Sequence, residues 1–217
     1  MTVAPEGRPF IAAGVVTLAV LVVLFLVRGG WWILPVAAWA PVAMWIPWFF
    51  RDPAPAGPRG SRLVLAPANG KVVSVSELEE PAFLGQVATR VSIFMSVFDV
   101  HVNRYPIDGT VEMRDYRPGR FFNATLDKAS ELNERMSLGI VGPHGRIVVR
   151  QIAGLIARRI VCDAAEGDRV AQGDRLGLIR FGSRVDTFLD RKARIVVEPG
   201  DRTVAGVTVI AEWEEAS

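Results

Sequence analysis

Two short stretches of this chain carry residue types that could do chemistry. The first is Phe94-Met95-Ser96-Val97-Phe98-Asp99-Val100-His101-Val102-Asn103-Arg104-Tyr105-Pro106, in which Asp99, His101 and Asn103 alternate with apolar residues. In an extended backbone those three side chains project from one face. Such a row suits proton transfer, because an imidazole titrates at about 6.5 and a carboxylate on the same face can orient or charge it. Spacing alone favours a plainer reading, a hydrogen-bonded histidine on a wet face. The second stretch is Arg180-Phe181-Gly182-Ser183-Arg184-Val185-Asp186, where a Gly-Ser pair stands between apolar runs. By itself that pair reads as a tight turn.

The elements that must position these residues begin with lipid. Half of the 217 residues are hydrophobic, and the surplus sits at the N-terminus, where Phe10 to Val27 and Trp31 to Phe50 carry no charge. Each is near the roughly 20 residues a helix needs to cross a bilayer. Only Arg28-Gly29-Gly30 separates them, which predicts a helical hairpin over segments 10–27 and 31–50. Pro35, Pro41 and Pro47 predict a bent or re-entrant second segment. Arg8, Arg51, Arg59 and Arg62 outnumber the turn's Arg28, which places both ends in the cytoplasm by the positive-inside rule. A cleavable signal peptide fits less well, since a second apolar segment follows at once.

Residues 51–61 form a Pro- and Gly-rich linker, and residues 62–217 read as one β domain with little helix. Strands are expected at 63–65, 70–75, 89–95, 110–116, 146–152, 158–161, 175–179, 185–189 and 207–213. An internal echo supports a barrel or sandwich: Gly167-Asp168-Arg169-Val170-Ala171-Gln172-Gly173 recurs as Gly200-Asp201-Arg202-Thr203-Val204-Ala205-Gly206. These turns resemble those of lipoyl- and biotin-carrier domains, which implies a lipoyl-like β fold. The carrier lysine is missing, as Lys192, the last of the three lysines, lies in no matching turn.

Composition closes several routes. Two large domains do not fit this length. One cysteine, Cys162, excludes an internal disulfide, and two histidines, His101 and His144, leave too few ligands for a Cys/His zinc site. The net charge is only +2, and no basic run with interleaved aromatics suggests nucleic acid. His144 reads as an exposed turn residue and Cys162 as a small buried hydrophobe.

Six blocks in order resemble the phosphatidylserine decarboxylases in their short bacterial form. They are FFRDP at 49–53, APANGKV at 66–72, FMSVFDVHVNRYP at 94–106, RPGRFFNATLDKASELNER at 117–135, QIAGLIARRIV at 151–161 and GDRLGLIRFGSRVD at 173–186. The resemblance implies a proenzyme that cleaves its own Gly182-Ser183 bond, giving a β chain of residues 1–182 and an α chain of residues 183–217 that stay packed as a heterodimer. Ser183 would become a pyruvoyl group, a built-in electron sink that condenses with the substrate amine, with no metal and no pyridoxal phosphate. The implied reaction converts phosphatidylserine to phosphatidylethanolamine and CO2 at the cell membrane. The implied site is Ser183 with His101 as proton handler and Asp99 as its orienting carboxylate.

This sequence departs from the family pattern at three places. Asn69 stands where members usually carry aspartate, and a carboxamide is no base. Arg104 stands where long forms carry a further histidine, and Arg184 follows Ser183 where they carry threonine. Arg117, Arg120 and Arg135 could hold a lipid phosphate or form a solvated surface, and Phe121 and Phe122 could enter the bilayer or pack in the core. Two other functions stay open, a non-catalytic membrane-tethered lipoyl-like module and a decarboxylase of another serine-headed lipid such as archaetidylserine. A higher oligomer is also left open.

Overall fold

The computed structural model describes residues 2–119, 132–154, 159–180 and 183–214. They fall into two compact units, Met1–Ala54 and Pro55–Ser217. In the first, α1 (Arg8–Arg28) and α2 (Ile33–Phe49) form a hairpin, and β1 (Thr2–Val3) pairs with β2 (Arg51–Asp52) to tie its open end. Gly29 and Gly30 make the turn at φ 61° and 55°, a left-handed conformation that glycine adopts without steric cost. Gly14 lets the helices approach: a Cβ there would meet Ile46 Cδ1 at 3.0 Å, and Trp39 Nε1 donates to the Gly14 carbonyl at 3.1 Å. Pro41 and Pro47 lie inside α2. Pro5–Arg28 and Gly30–Phe49 are long and apolar enough to cross a membrane, and Val16, Val20, Val23, Leu26 and Met44 are exposed on their outer faces. A helix apolar all round has no water-facing side.

The second unit contains β3 (Leu63–Leu65), β4 (Gly70–Glu80), β5 (Gln86–Met95), β6 (Val102–Arg104), β7 (Gly109–Arg117), β8 (Arg135–Val141), β9 (Arg146–Ala153), β10 (Ile160–Cys162), β11 (Arg169–Val170), β12 (Arg175–Ile179), β13 (Ser183–Leu189), β14 (Ala193–Ile195), β15 (Arg202–Thr203) and β16 (Val209–Trp213). Eight strands form one antiparallel sheet in the order β11-β7-β8-β9-β13-β5-β4-β15, and two smaller sheets run β10-β12-β6 and β14-β16-β3. The molecule is therefore mainly β with an apolar helical pair, as its sequence indicates.

Residue parity divides the large sheet into two faces. Ile93 and Met95 on β5, Ile147 and Val149 on β9, and Val185 and Leu189 on β13 point into the main core. The even positions Ala88, Val148 and Phe188 gather on the other face with Phe83 and Met113. Both faces of β13 are covered, and all seven of its residues are buried.

β8 is the one long strand absent from the sequence reading. Ser137 and Gly139 look like punctuation within RMSLGIV, yet Gly139 seats the Phe83 ring, which a Cβ would meet at 2.7 Å. The Gly-Asp echo is structural. β11 pairs with the start of β7, Val170 opposite Gly109, and β15 pairs with the start of β4, Thr203 opposite Gly70.

Candidate active site

Ser183 is the first residue of β13, an interior strand paired along its whole length with β5 and β9. Its direct neighbours are Met95 and Ala153, and parity turns its side chain to the core face with Val185. The residue is fully buried, and its hydroxyl has no hydrogen-bond partner among the described residues. A buried, unsatisfied hydroxyl costs about 1–3 kcal/mol. Gly182 and Phe181 lie outside the described residues.

His101 reaches the same region through β6 and β12. Val102 pairs with Leu178 and Asn103 with Gly177, and the His101 carbonyl accepts from the Ile179 amide at 3.4 Å, four residues before Ser183. The ring is fully buried, which overturns the wet-face reading. Its Nδ1 lies 3.0 Å from the Asp99 carbonyl oxygen. A carbonyl only accepts, so Nδ1 carries the hydrogen and Nε2 is the basic nitrogen.

Asp99 corrects the expectation in another way. Residues 97–99 form a turn, and only 102–104 are extended, so the three polar residues do not share one strand face. The Asp99 carboxylate accepts from the Ser96 amide at 2.9 Å and hydroxyl at 2.8 Å, and its other oxygen meets Arg202 at 3.1 Å. Its carboxylate locks the turn, while its backbone carbonyl orients His101.

The three departures from the family pattern have structural partners. Asn69 Oδ1 accepts from the Ala205 amide at 3.0 Å, as Asp108 Oδ1 accepts from the Gln172 amide at 2.8 Å. Ala205 and Gln172 occupy the same place in the two echoed turns, so Asn69 does for one turn what a carboxylate does for the other. Arg104 is buried and donates to the Gly173 carbonyl at 3.3 Å. Arg184 points to the face opposite Ser183, where Nε lies 2.6 Å from Asp186 Oδ1, and Nη2 donates to Asp186 Oδ2 at 3.2 Å and to Ser92 Oγ at 2.8 Å.

Sequence reasoning missed one polar group beside Ser183. Gln151 Nε2 donates to Asn103 Oδ1 at 2.8 Å, and Asn103 Nδ2 meets Met95 Sδ at 3.6 Å. Met95 and Gln151 belong to the strands on either side of β13, so the Asn103 carboxamide bridges across that strand on the Ser183 face. The available signal was parity: Ile147, Val149, Gln151 and Ala153 share a face, and a glutamine in that row is out of place in a core.

Other candidates lie elsewhere. Arg117 and Arg135 oppose each other across β7 and β8 and, with Arg90 and Arg150, line a cavity of about 290 Å³ on the face away from Ser183. Burial, ahead of the neighbouring charges, lowers the Arg150 pKa. Burial first, then Cys162 and three carboxylates, pushes the Tyr105 phenol up to about 12. Burial also raises the Cys162 thiol, which is packed against the main core. His144 is exposed, its Nε2 3.1 Å from Ser61 Oγ. Arg120, Phe121 and Phe122 fall outside the described residues. Among the described residues no three His, Cys, Asp or Glu side chains gather as a metal site requires.

Ser183, fully buried, thus heads an interior strand, and the His101 backbone is bonded to Ile179 on the segment that leads into it. The phosphatidylserine decarboxylase family profile matches residues 42–211. The chain is 51% identical over 209 residues to the phosphatidylserine decarboxylase proenzyme of Symbiobacterium thermophilum, covering 96% of this chain and 94% of that one. It is 48% identical to the protein of the same name from Saccharopolyspora erythraea, covering 98% and 89%, and 51% identical to that of Granulibacter bethesdensis, covering 96% and 84%. This chain belongs to the phosphatidylserine decarboxylase family.

Proposed function

We propose that the chain is a zymogen that cuts itself at Gly182-Ser183 and then decarboxylates phosphatidylserine to phosphatidylethanolamine. The observation that carries this reading is the Ser183 hydroxyl, fully buried and without a hydrogen-bond partner among the described residues, at the head of an interior strand. The proenzyme name of the relatives supports it. In the cut, Ser183 Oγ bonds to the Gly182 carbonyl carbon and the C–N bond breaks, turning amide into ester. Loss of the Ser183 Cα proton expels the Gly182 carboxylate, and water then releases ammonia, so one water enters and one ammonia leaves. Ser183 fits this role because its hydroxyl has no hydrogen-bond partner among the described residues.

The pyruvoyl group left at residue 183 supplies an electron sink for the pair released with CO2. His101 handles the proton: the Asp99 carbonyl holds Nδ1–H, which leaves Nε2 as the nitrogen that takes or returns a proton. The two apolar helices support attachment to a membrane, and the arginines flanking them support a cytosolic position for the rest of the chain. Denaturing electrophoresis and intact mass of the purified protein test the reading. Two fragments, residues 1–182 and 183–217, are expected, the smaller without a free N-terminal amine, and Ser183→Ala gives one uncut, inactive chain. A wild-type protein that stays intact overturns it.

A further inference from the structure

We infer that Gln151 positions the Ser183 hydroxyl for attack on its own backbone, a role that rests on the self-cleavage proposed above. Gln151 is 1% exposed, yet its Oε1 has no hydrogen-bond partner among the described residues, and the same is true of the Ser183 hydroxyl. One is an acceptor in want of a donor and the other carries an O–H. The register brings them to one place. Ser183 lies opposite Ala153, so Gln151, two residues earlier on β9, is its diagonal neighbour on the same face. Diagonal neighbours across an antiparallel pair are about 7–8 Å apart, within reach of a long side chain.

The Asn103 bridge determines which end of the carboxamide is offered. Gln151 Nε2 is held by Asn103 Oδ1, and Asn103 is in turn held against Met95, the other neighbour of Ser183. Rotation of the amide is thereby restrained, and Oε1 is the end left for the hydroxyl. The two atoms are not bonded to each other in the structure; rotation of the Ser183 side chain that brings Oγ–H onto Oε1 would satisfy two buried groups at once and select one rotamer of Ser183 for the attack. On attack the proton leaves to a base, which a carboxamide is not, so Gln151 orients and His101 remains the proton carrier. Asn69 is not available for this task, since its oxygen is committed to Ala205.

The test follows cleavage of freshly synthesised full-length protein by denaturing electrophoresis, from pH 5 to 9, for wild type, Gln151→Leu and Gln151→Glu. Gln151→Leu keeps the volume but removes the acceptor, and cleavage is expected to slow about tenfold or more, the worth of one buried hydrogen bond. Gln151→Glu places a titratable acceptor there, so its cleavage profile acquires an additional limb rising with pH as the carboxyl ionises, beyond whatever limb His101 gives the wild type. Cleavage of a folded Gln151→Leu at the wild-type rate overturns the inference. So does a Gln151→Glu profile that superimposes on wild type, which decides the matter if the leucine variant does not fold. A wild-type chain that never cleaves removes the underlying reading itself, a result distinct from either.

Discussion

Replacing Arg184 with methionine removes one half of the most deeply buried ion pair on β13. Arg184 and Asp186 side chains are 1% and 0% exposed, two residues apart on one face of the strand, and joined by two hydrogen bonds of 2.6 and 3.2 Å. Stripping one partner from such a pair leaves a charge in the interior and costs about 3–5 kcal/mol. Arg150 stands directly opposite Asp186 on β9 and interacts with it electrostatically, which offsets part of the loss. The expected cost is therefore at the lower end, about 3 kcal/mol, or a fall in Tm of roughly 6–12 °C for a domain of this size. The measurement is thermal unfolding in detergent on a Ser183→Ala background, where the chain stays in one piece. The double variant Arg184→Met with Asp186→Leu should recover most of the loss, because a packed apolar pair is often as good as a buried ionic one. A single variant that loses less than about 1 kcal/mol, the worth of an exposed pair, refutes the argument. So does a double variant no more stable than the single.

His101→Ala should lower turnover per cleaved chain by about a hundredfold or more while leaving KM nearly unchanged, read from steady-state kinetics after the cleaved fraction has been counted. Normal turnover per cleaved chain would remove His101 from the mechanism. Asn69→Asp should leave the cleavage rate close to wild type, because Asp108 makes the same turn bond in the echoed loop; a marked acceleration in a pulse-chase gel would show that Asn69 limits processing. Tyr105 bears on alkaline stability. Its folded pKa is raised from 10.0 to about 12, so its contribution is complete below pH 10 and is lost as pH climbs toward 12. That loss amounts to roughly 2–3 kcal/mol at most, and urea unfolding of Tyr105→Phe should be flatter over the same interval.

Much of the strand pattern is legible because alternation and glycine turns are local properties. Leu63–Leu65 and Arg175–Ile179 have the bounds that the sequence suggests. β8 is not legible, because the reason for Gly139 is an aromatic ring packed from a distant hairpin, and nothing near Gly139 in the chain announces it. The strand β4 runs on to Glu80, where Glu80 Oε2 accepts from the Phe83 and Leu84 amides and caps the hairpin, a use of a charged residue that alternation does not report. Within the candidate site, Ser183 and His101 stand out by residue type and family pattern. The Asp99 role depends on whether a carboxylate or a carbonyl faces the imidazole, which spacing does not encode. Asn103 and Gln151 meet across 48 positions, and only the register of β9 against β13 brings them beside Ser183.

The interior place of β13 dictates an order of events. A strand flanked by β5 and β9 along seven residues can be inserted while it is still threaded to the polypeptide before it. A separate peptide of residues 183–217 arriving later would have to part a finished sheet. Under the cut proposed at Gly182-Ser183, assembly would therefore precede scission. Two genes encoding the pieces apart should yield no working protein unless the pieces meet before either has closed, whereas one long gene delivers the strand in place and would let the proposed break come last.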